Sequence, residues 1–143
     1  MIYTPLTKKA LLTAYDAHIG TYDRSGLPYI FHPYHLAEQM DDEHTVCAAL
    51  LHDVVEDTEL TLDDLRRQGF PEAIIRTVDL LTHKDGVDYF DYVRAVRSDP
   101  AAVKVKLADL EHNSDTSRLD VVTERDRERL EKYEKAKQIL LDI

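Results

Sequence analysis

The sequence predicts an all-α protein, a compact multi-helix bundle. Apolar residues recur at helical spacing in most segments, helix-start signals such as Thr4-Pro5 and Asp99-Pro100 punctuate the chain, and no segment has a convincing strand pattern. The chain has 143 residues, of which 43% are hydrophobic, and this is enough for one domain with a proper core. We therefore expect residues 1–143 to form a single helical domain.

The first predicted helix spans residues 5–19. A Thr-Pro pair begins it, because threonine can cap a helix and proline fits the first helical position, and Gly20 ends it. Residues 21–31 are predicted to form a loop because they contain both glycine and proline. A second, short helix starts at His32-Pro33 and ends in an acidic run.

Residues 46–58, VCAALLHDVVEDT, form the segment around which the rest of the bundle is expected to pack. This run is too evenly apolar for a surface helix, so it predicts one continuous helix buried on most sides. At helical spacing Glu56 lies one turn beyond His52, and Asp57 lies one turn beyond Asp53. The second half of a buried helix thus carries three carboxylates and a histidine.

The remaining predicted helices cover residues 61–69, 71–82, 89–98, 99–114 and a last segment from about 123. Residues 103–107, VKVKL, also fit a strand, but the Asp-Pro start before them favours a helix. The last helix is predicted to be long, amphipathic and superficial. Its Glu128–Lys132 and Glu131–Lys135 spacings suggest ion pairs between successive turns.

Composition limits the classes of function. A net charge of −10 disfavours a nucleic-acid-binding surface, because binding to a phosphate backbone depends on clustered Lys and Arg. No stretch approaches the roughly 18 to 20 apolar residues of a membrane span, and the N-terminus lacks the order of a signal peptide. We expect a cytoplasmic protein with neither a nucleic acid nor a membrane as partner. The sequence leaves the oligomeric state open.

A buried helix that carries His52 and Asp53 requires a cation, since an ionised carboxylate without a partner is costly away from water. A bound metal ion meets that need. His32, at the junction of the loop and the second helix, and Asp109, among apolar neighbours, complete a set of two nitrogen and two oxygen donors. These four would fill tetrahedral Zn(II) but leave positions open on Mn(II) or Fe(II). We favour Mn(II), with Fe(II) and Zn(II) as alternatives.

Glu56 and Asp57 are then the predicted catalytic residues. They would lie one helical turn beyond the ion, about 6 Å along the axis. At that distance they could orient or deprotonate a water that the metal activates. Asn113, one turn after Asp109, would brace a ligand or touch the substrate.

The substrate-binding candidates are weaker. Lys84, Lys106 and Arg118 could meet phosphates, although solvated surface is the commoner place for such side chains. A tyrosine such as Tyr89 or Tyr92 more often packs in the core than stacks on a nucleotide base. If either stacks on a base, Tyr89 is the better candidate. His35, one turn after His32, could support a ligand or contact the substrate, and a surface position is equally expected. The remaining histidines are interpreted mainly as structural or surface residues: His18, His44, His83 and His112.

Four stretches carry a family resemblance: AH at 17–18, RSGLPYIFHP at 24–33, AALLHDVVEDT at 48–58 and KLADLEHN at 106–113. Together they resemble the HD superfamily of metal-dependent phosphohydrolases. More narrowly, they are similar to the hydrolase domain of the RelA/SpoT family and to stand-alone small alarmone hydrolases. The resemblance implies a helical domain that uses Mn(II) to hydrolyse (p)ppGpp to GDP or GTP and pyrophosphate.

By motif position, the resemblance implies the following roles. The metal ligands would be His32, His52, Asp53 and Asp109. The catalytic pair would be Glu56 and Asp57, and the nucleotide would contact Asn113 and Arg24.

The sequence departs from the family pattern at two places. Asp23-Arg24 stands where the family usually has two basic residues, and Leu110-Glu111 interrupts its usual ADRLHN motif. Both changes would weaken contacts with an anion or a guanine. They leave two alternatives open, namely an HD phosphatase for another nucleotide, such as a nucleoside monophosphate or NADPH, and a catalytically silent alarmone-binding domain. No synthetase domain is recognisable, so pyrophosphokinase activity is not expected.

Overall fold

The computed structural model describes residues 1–142, and residue 143, the last of the expected domain, lies outside them. Over the described residues the fold is all-α, as predicted, and the sole extended pairing there is one antiparallel bridge between Tyr22 and Pro28. The helices are α1 (Pro5–Ala17), α2 (Phe31–Glu38), α3 (Glu43–Leu51), α4 (Val54–Asp57), α5 (Leu62–Arg67), α6 (Glu72–Leu81), α7 (Tyr89–Val96), α8 (Pro100–Asn113) and α9 (Glu124–Leu141), with a 3-10 helix at Thr116–Arg118.

Helix α3 is the centre of the bundle. Every residue from Thr45 to Leu51 is buried, and α1, α2, α6 and α8 all pack against this helix. Fully burying one large aliphatic side chain contributes about 1.5–3 kcal/mol. The end of α3, where His52 follows, is therefore among the most firmly anchored points of the chain.

The helix starts that the sequence predicts are confirmed. Thr4 accepts a hydrogen bond from the Thr7 amide at 3.1 Å, with proline in the first turn, and Asp99 accepts from the Ala101 amide at 2.9 Å. Residues 103–107 lie inside α8, so the helical interpretation of VKVKL is also confirmed. Within residues 1–142, no helix has both the length and the apolar character needed to cross a bilayer.

The single helix expected over residues 46–58 is wrong. Helix α3 ends at Leu51 and α4 begins at Val54, and the backbone of Asp53 leaves the α region with φ −121° and ψ 9°. The side chains at the break bond outside the helix, since the Tyr29 hydroxyl donates to Asp53. Spacing along one helix axis therefore does not describe the path to the acidic residues of α4.

Neither predicted Glu–Lys pair of α9 forms among the described residues. The Lys132 ammonium instead lies 4.0 Å from the centroid of the Tyr89 ring, and the Lys135 ammonium lies 4.6 Å from that of Phe90. Helix α9 packs against α7, which brings these aromatic faces within reach. A cation–π contact contributes about 0.5–1 kcal/mol at exposed sites, against about 0.2–0.5 kcal/mol for a helical ion pair.

Candidate metal centre

Three of the four predicted ligands form one buried cluster. One donor atom from each of His32, His52 and Asp109 lies within 4.8 Å of the other two. Asp109 Oδ1 is 2.9 Å from His32 Nε2 and 3.4 Å from His52 Nε2. The three side chains come from α2, the end of α3 and α8, so the packing of these helices on one another assembles the cluster.

The ring orientation of His52 is fixed by the backbone. Its Nδ1 lies 2.7 Å from the carbonyl oxygen of Ala49, and because a carbonyl only accepts, Nδ1 must carry the hydrogen. Nε2 is left facing the carboxylates. Burial disfavours the charged ring, but Asp53 and Asp109 outweigh that effect and raise the pKa of His52 to about 9. Nε2 therefore faces a position that favours a positive charge.

Asp109 is held ionised by its neighbours on α8. Lys106 Nζ lies 2.9 Å from Oδ2, and the Asn113 amide donates to Oδ1 at 3.0 Å. Burial opposes ionisation, yet Lys106 and the two histidines hold the pKa of Asp109 well below its usual range. Lys106, for which solvated surface was the commoner expectation, is buried in an ion pair with Asp109.

Asp53 lies beside the cluster rather than between its three members. Its Oδ2 is 3.5 Å from His52 Nε2 and also accepts from the Tyr29 hydroxyl. Its Oδ1 is 3.2 Å from His18 Nε2, but neither of these two buried atoms makes a hydrogen bond. A buried carboxylate oxygen without a hydrogen bond fits a donor set meant for a cation. That Asp53 is the fourth ligand stays a prediction.

A second histidine orients His32. The Nδ1 atoms of His32 and His112 lie 2.7 Å apart, and the two rings are stacked. Burial, followed by the charges of His32 and Arg118, lowers the pKa of His112 to about 4, so His112 is neutral near pH 7. If His32 donates from Nδ1, its Nε2 is free to face Asp109. From the sequence, His112 was interpreted as a structural or surface residue and this contact was missed, although its position three residues after Asp109 on α8 was a usable signal.

Two cavities adjoin the cluster. The inner cavity, about 210 Å³, is lined by both predicted catalytic residues and by His52, Asp53, Asp109, Tyr89, Lys106 and Lys132, among others. The outer cavity, about 330 Å³, is lined by His32 and by the loop residues Asp23, Arg24, Asp115 and Arg118, among others. Tyr29, Asn113 and Tyr133 line both cavities and form the boundary between them.

The two predicted catalytic carboxylates differ in how they are held. Glu56 accepts a hydrogen bond at 2.6 Å from the backbone amide of His83. Asp57 still reaches solvent, but partial burial together with the charges of Asp53 and Glu56 raises the pKa of its carboxyl to about 6. One carboxylate is therefore fixed in place, and the other can exchange a proton near neutral pH.

The predicted substrate contacts are scattered. Asn113 lines both cavities, Arg24 lines the outer one, and Tyr89 lines the inner one. The Arg24 guanidinium binds the buried carboxylate of Asp126 at the start of α9. Lys84 is exposed, and its ammonium lies 2.8 Å from Asp79, outside the lining of either cavity.

The two departures from the family pattern differ in consequence. Leu110 is buried in the core, so this replacement affects packing and not a surface that meets the nucleotide. Asp23 lines the outer cavity, where it accepts from the backbone amides of Ser25 and Leu27 and lies 3.4 Å from Arg118. Only the change at Asp23 alters the charge of a cavity wall.

Comparison with known proteins identifies the class to which the chain belongs. The sequence profile of the HD domain family matches residues 10–141, and the chain belongs to that family. Its relatives within the class are RelA/SpoT-type proteins. It is 36% identical over 124 residues to the bifunctional (p)ppGpp synthase/hydrolase SpoT of Escherichia coli, covering 76% of this chain. It is 40% identical over 124 residues to a GTP pyrophosphokinase of Streptomyces coelicolor, covering 78%.

The match is to a small part of each relative. The aligned region spans 18% of the Escherichia coli protein and 14% of the Streptomyces coelicolor protein. Among solved structures, that of a metazoan orthologue of SpoT that hydrolyses ppGpp superposes with a TM-score of 0.79, covering 99% of this chain and 89% of the other. At 22% identity this likeness shows a shared fold.

Proposed function

We propose that this chain is a divalent-metal-dependent phosphohydrolase that removes the 3′-pyrophosphate of (p)ppGpp or of a closely similar nucleotide. The observation that carries the proposal is the buried cluster of His32, His52 and Asp109 beside a cavity that also holds Glu56 and Asp57. The names of the SpoT-type relatives support the substrate class.

The chain's own residues would hold the ion. His32, His52 and Asp109 supply donors that already converge, and Asp53, whose Oδ2 lies 3.5 Å from His52 Nε2, would supply the fourth. The mixed nitrogen and carboxylate set is why we favour Mn(II), with Fe(II) and Zn(II) as the alternatives. A divalent ion bound there supplies a Lewis acid for a phosphoryl oxygen and makes water more acidic.

The acidic pair would manage the attacking water and its proton. The bond from phosphorus to the ribose 3′-oxygen breaks, and a bond from the water oxygen to the same phosphorus forms. Glu56, fixed by the His83 amide, would orient the water. Asp57, whose carboxyl pKa is about 6, would take the water's proton, which can then pass to the departing 3′-oxygen.

The two cavities suit the two ends of such a substrate. The pyrophosphate would enter the inner cavity, where the cluster and the acidic pair lie, and the nucleoside would occupy the larger outer cavity. Asn113 would stand at the junction and could contact the nucleotide while its amide braces Asp109. Arg24 would border the nucleoside and not the reacting phosphorus.

A second candidate keeps the chemistry and changes the nucleotide. The two arginines that line the outer cavity are already paired, Arg24 with Asp126 and Arg118 with Asp23. A 5′-diphosphate would therefore compete with carboxylates for these guanidinium groups. This pairing favours a substrate with less charge on the nucleoside side. A nucleoside monophosphate has no second phosphate there, and the diphosphate bridge of NADPH carries one negative charge fewer than a terminal 5′-diphosphate.

Metal analysis followed by a phosphate-release panel tests the proposal. The protein, purified without chelator, is analysed for bound metal and then assayed with Mn(II) against ppGpp, pppGpp, NADPH and nucleoside monophosphates. Pyrophosphate release from ppGpp supports the first candidate. Release only from another nucleotide supports the second. Tight ppGpp binding without turnover would identify a silent alarmone-binding domain and would contradict both.

A further inference from the structure

The candidate phosphate-binding cations differ in whether a carboxylate already neutralises them. Lys84, Lys106 and Arg118 are the three side chains that the sequence offers as phosphate contacts, and each has a carboxylate oxygen within 3.4 Å. An anionic substrate would have to compete for each of them. The cation that meets the phosphoryl groups must therefore be sought elsewhere.

Lys132 lines the inner cavity without such a partner. Over residues 1–142, no carboxylate oxygen comes within 4.0 Å of its ammonium, and the acidic residues of α9 that form ion pairs do so with arginines. The ammonium lies 4.0 Å from the centroid of the Tyr89 ring. A cation–π contact holds an ammonium in place without cancelling its charge, so Lys132 remains available to an anion.

Tyr89, which lines the same cavity, also carries a hydroxyl without a partner among residues 1–142. Its hydroxyl is buried and has no hydrogen-bond partner in the described chain, which is an uncommon state for a phenol. Burial raises the pKa of this hydroxyl, which keeps the proton on the oxygen. The residue whose ring contacts the Lys132 ammonium therefore also has an unused hydrogen-bond donor.

The charge of the inner cavity gives a reason for this arrangement. Asp53, Glu56, Asp57 and Asp109 all line it. A divalent ion would offset only part of this negative charge, and two or more phosphoryl groups would add to it. Binding them requires a further positive charge that no carboxylate of the protein has already claimed.

We propose that Lys132, positioned by the Tyr89 ring, is the phosphate-binding cation of the inner cavity. Its ammonium would pair with a phosphoryl group of the substrate across the cavity from the His32–His52–Asp109 cluster. This inference rests on the proposed function, because it assumes that a pyrophosphate enters the inner cavity. It adds a binding residue on α9, outside all four stretches that carry the family resemblance.

Two matched variants on α9 test the proposal. Lys132→Gln removes the charge inside the cavity, and Lys135→Gln removes the same charge one turn along the helix, over the Phe90 ring and outside the cavity lining. Both lysines are exposed, so neither change should disturb the fold, which thermal unfolding checks. The probe is inorganic pyrophosphate, titrated calorimetrically into the full chain, metal-free and loaded with Mn(II) after removal of unbound ion.

We expect the dissociation constant for pyrophosphate to rise about tenfold or more in Lys132→Gln, because a charge-assisted hydrogen bond is lost. It should change less than about twofold in Lys135→Gln, and Lys132→Arg should restore most of the affinity. Equal effects of the two glutamine variants, or no pyrophosphate binding by the unmodified protein, would overturn the inference. The nucleotide panel decides the proposed function separately, since a protein that releases nothing from any nucleotide could still show the difference between the lysines.

Discussion

The inner and outer cavities are built in opposite ways. Around the inner cavity, buried side chains of α2, α3 and α8 converge on Asp109, and most of their polar atoms already have partners. Around the outer cavity, a loop and α9 meet through ion pairs, such as that of Arg24 with Asp126, in which the arginine is 52% exposed. The inner cavity thus adjoins the core, whereas the outer cavity is formed by partly exposed side chains.

The two cavities should therefore differ in how well they tolerate substitutions. A change in the inner wall disturbs buried charges, whose loss of a partner costs several kcal/mol. A change in the outer wall disturbs partly solvated pairs, each contributing about 1 kcal/mol or less. We therefore expect the reaction to be hard to alter and the choice of nucleotide to be easy to alter.

Removal of the Asp109 carboxylate should have the largest effect. A mild effect would contradict the view that the inner cavity tolerates change less than the outer cavity. Asp109→Ala should abolish retention of Mn(II) and turnover. It should also lower the free energy of unfolding by about 3–5 kcal/mol, because Lys106 is left buried without a partner. Metal analysis and chemical denaturation measure both. The double variant Asp109→Ala, Lys106→Met should recover stability but not metal, and a single variant that still held one ion would contradict the ligand set.

Glu56→Gln should come next in size. The side-chain oxygen of the glutamine can still accept the hydrogen bond from the His83 backbone amide, so the fold and the bound ion should remain. Turnover should fall about 10²–10⁴-fold, as expected for the loss of a group that orients the attacking water. Steady-state rates with bound Mn(II) confirmed by metal analysis provide the measurement. An unimpaired rate would remove Glu56 from the mechanism.

The affinity for metal should depend on pH through His52. Its pKa of about 9 in the metal-free fold lies above the ordinary 6.5, so the stability that it contributes is fully present below pH 6.5 and is lost as pH rises through about 9. The ion competes with this proton. The dissociation constant for Mn(II) should therefore fall about tenfold per pH unit from pH 6.5 to 8.5, with one proton released per ion.

Calorimetry in buffers of different ionisation enthalpy counts that proton directly. The Lys135→Gln variant, altered far from the cluster, should give the same count. An affinity that stays constant over this pH range would show that His52 is not protonated before the ion binds.

A substitution in the lining of the outer cavity should have the smallest effect. Arg24→Gln should lower the free energy of unfolding by about 1 kcal/mol or less, since Asp126 keeps its bonds to Thr123. It should raise KM for the nucleotide and leave the affinity for inorganic pyrophosphate unchanged, the reverse of the pattern expected for Lys132→Gln. Loss of pyrophosphate binding in Arg24→Gln would mean that the two cavities do not divide the substrate as proposed.

Local signals in the sequence predicted the helices well. A Thr-Pro or Asp-Pro pair specifies a helix start through hydrogen bonds within a few residues, which is why α1 and α8 begin where expected. The break between α3 and α4 was missed because residues 46–58 are uniformly helical in pattern. The break lies where the Asp53 side chain bonds a partner 24 residues away.

The candidate site was predictable only in part, because many of its contacts join residues that are far apart in the chain. His32, His52 and Asp109 could be named from residue type and family pattern, and the structure brings them together. The burial of Lys106 and the contact of His112 with His32 were missed, because both depend on how α8 packs against the other helices. Lys132 was assigned a glutamate partner on its own helix, since nothing local reveals an aromatic ring 43 residues earlier.

The placement of the tyrosines has an optical consequence. The chain has eight tyrosines and no tryptophan, and Tyr29, Tyr89, Tyr92 and Tyr133 all line the inner cavity. Half of the protein's intrinsic fluorophores thus surround the place where ion and phosphate would arrive. Their emission should respond to occupancy without any attached dye, so that arrival and departure could be followed in real time.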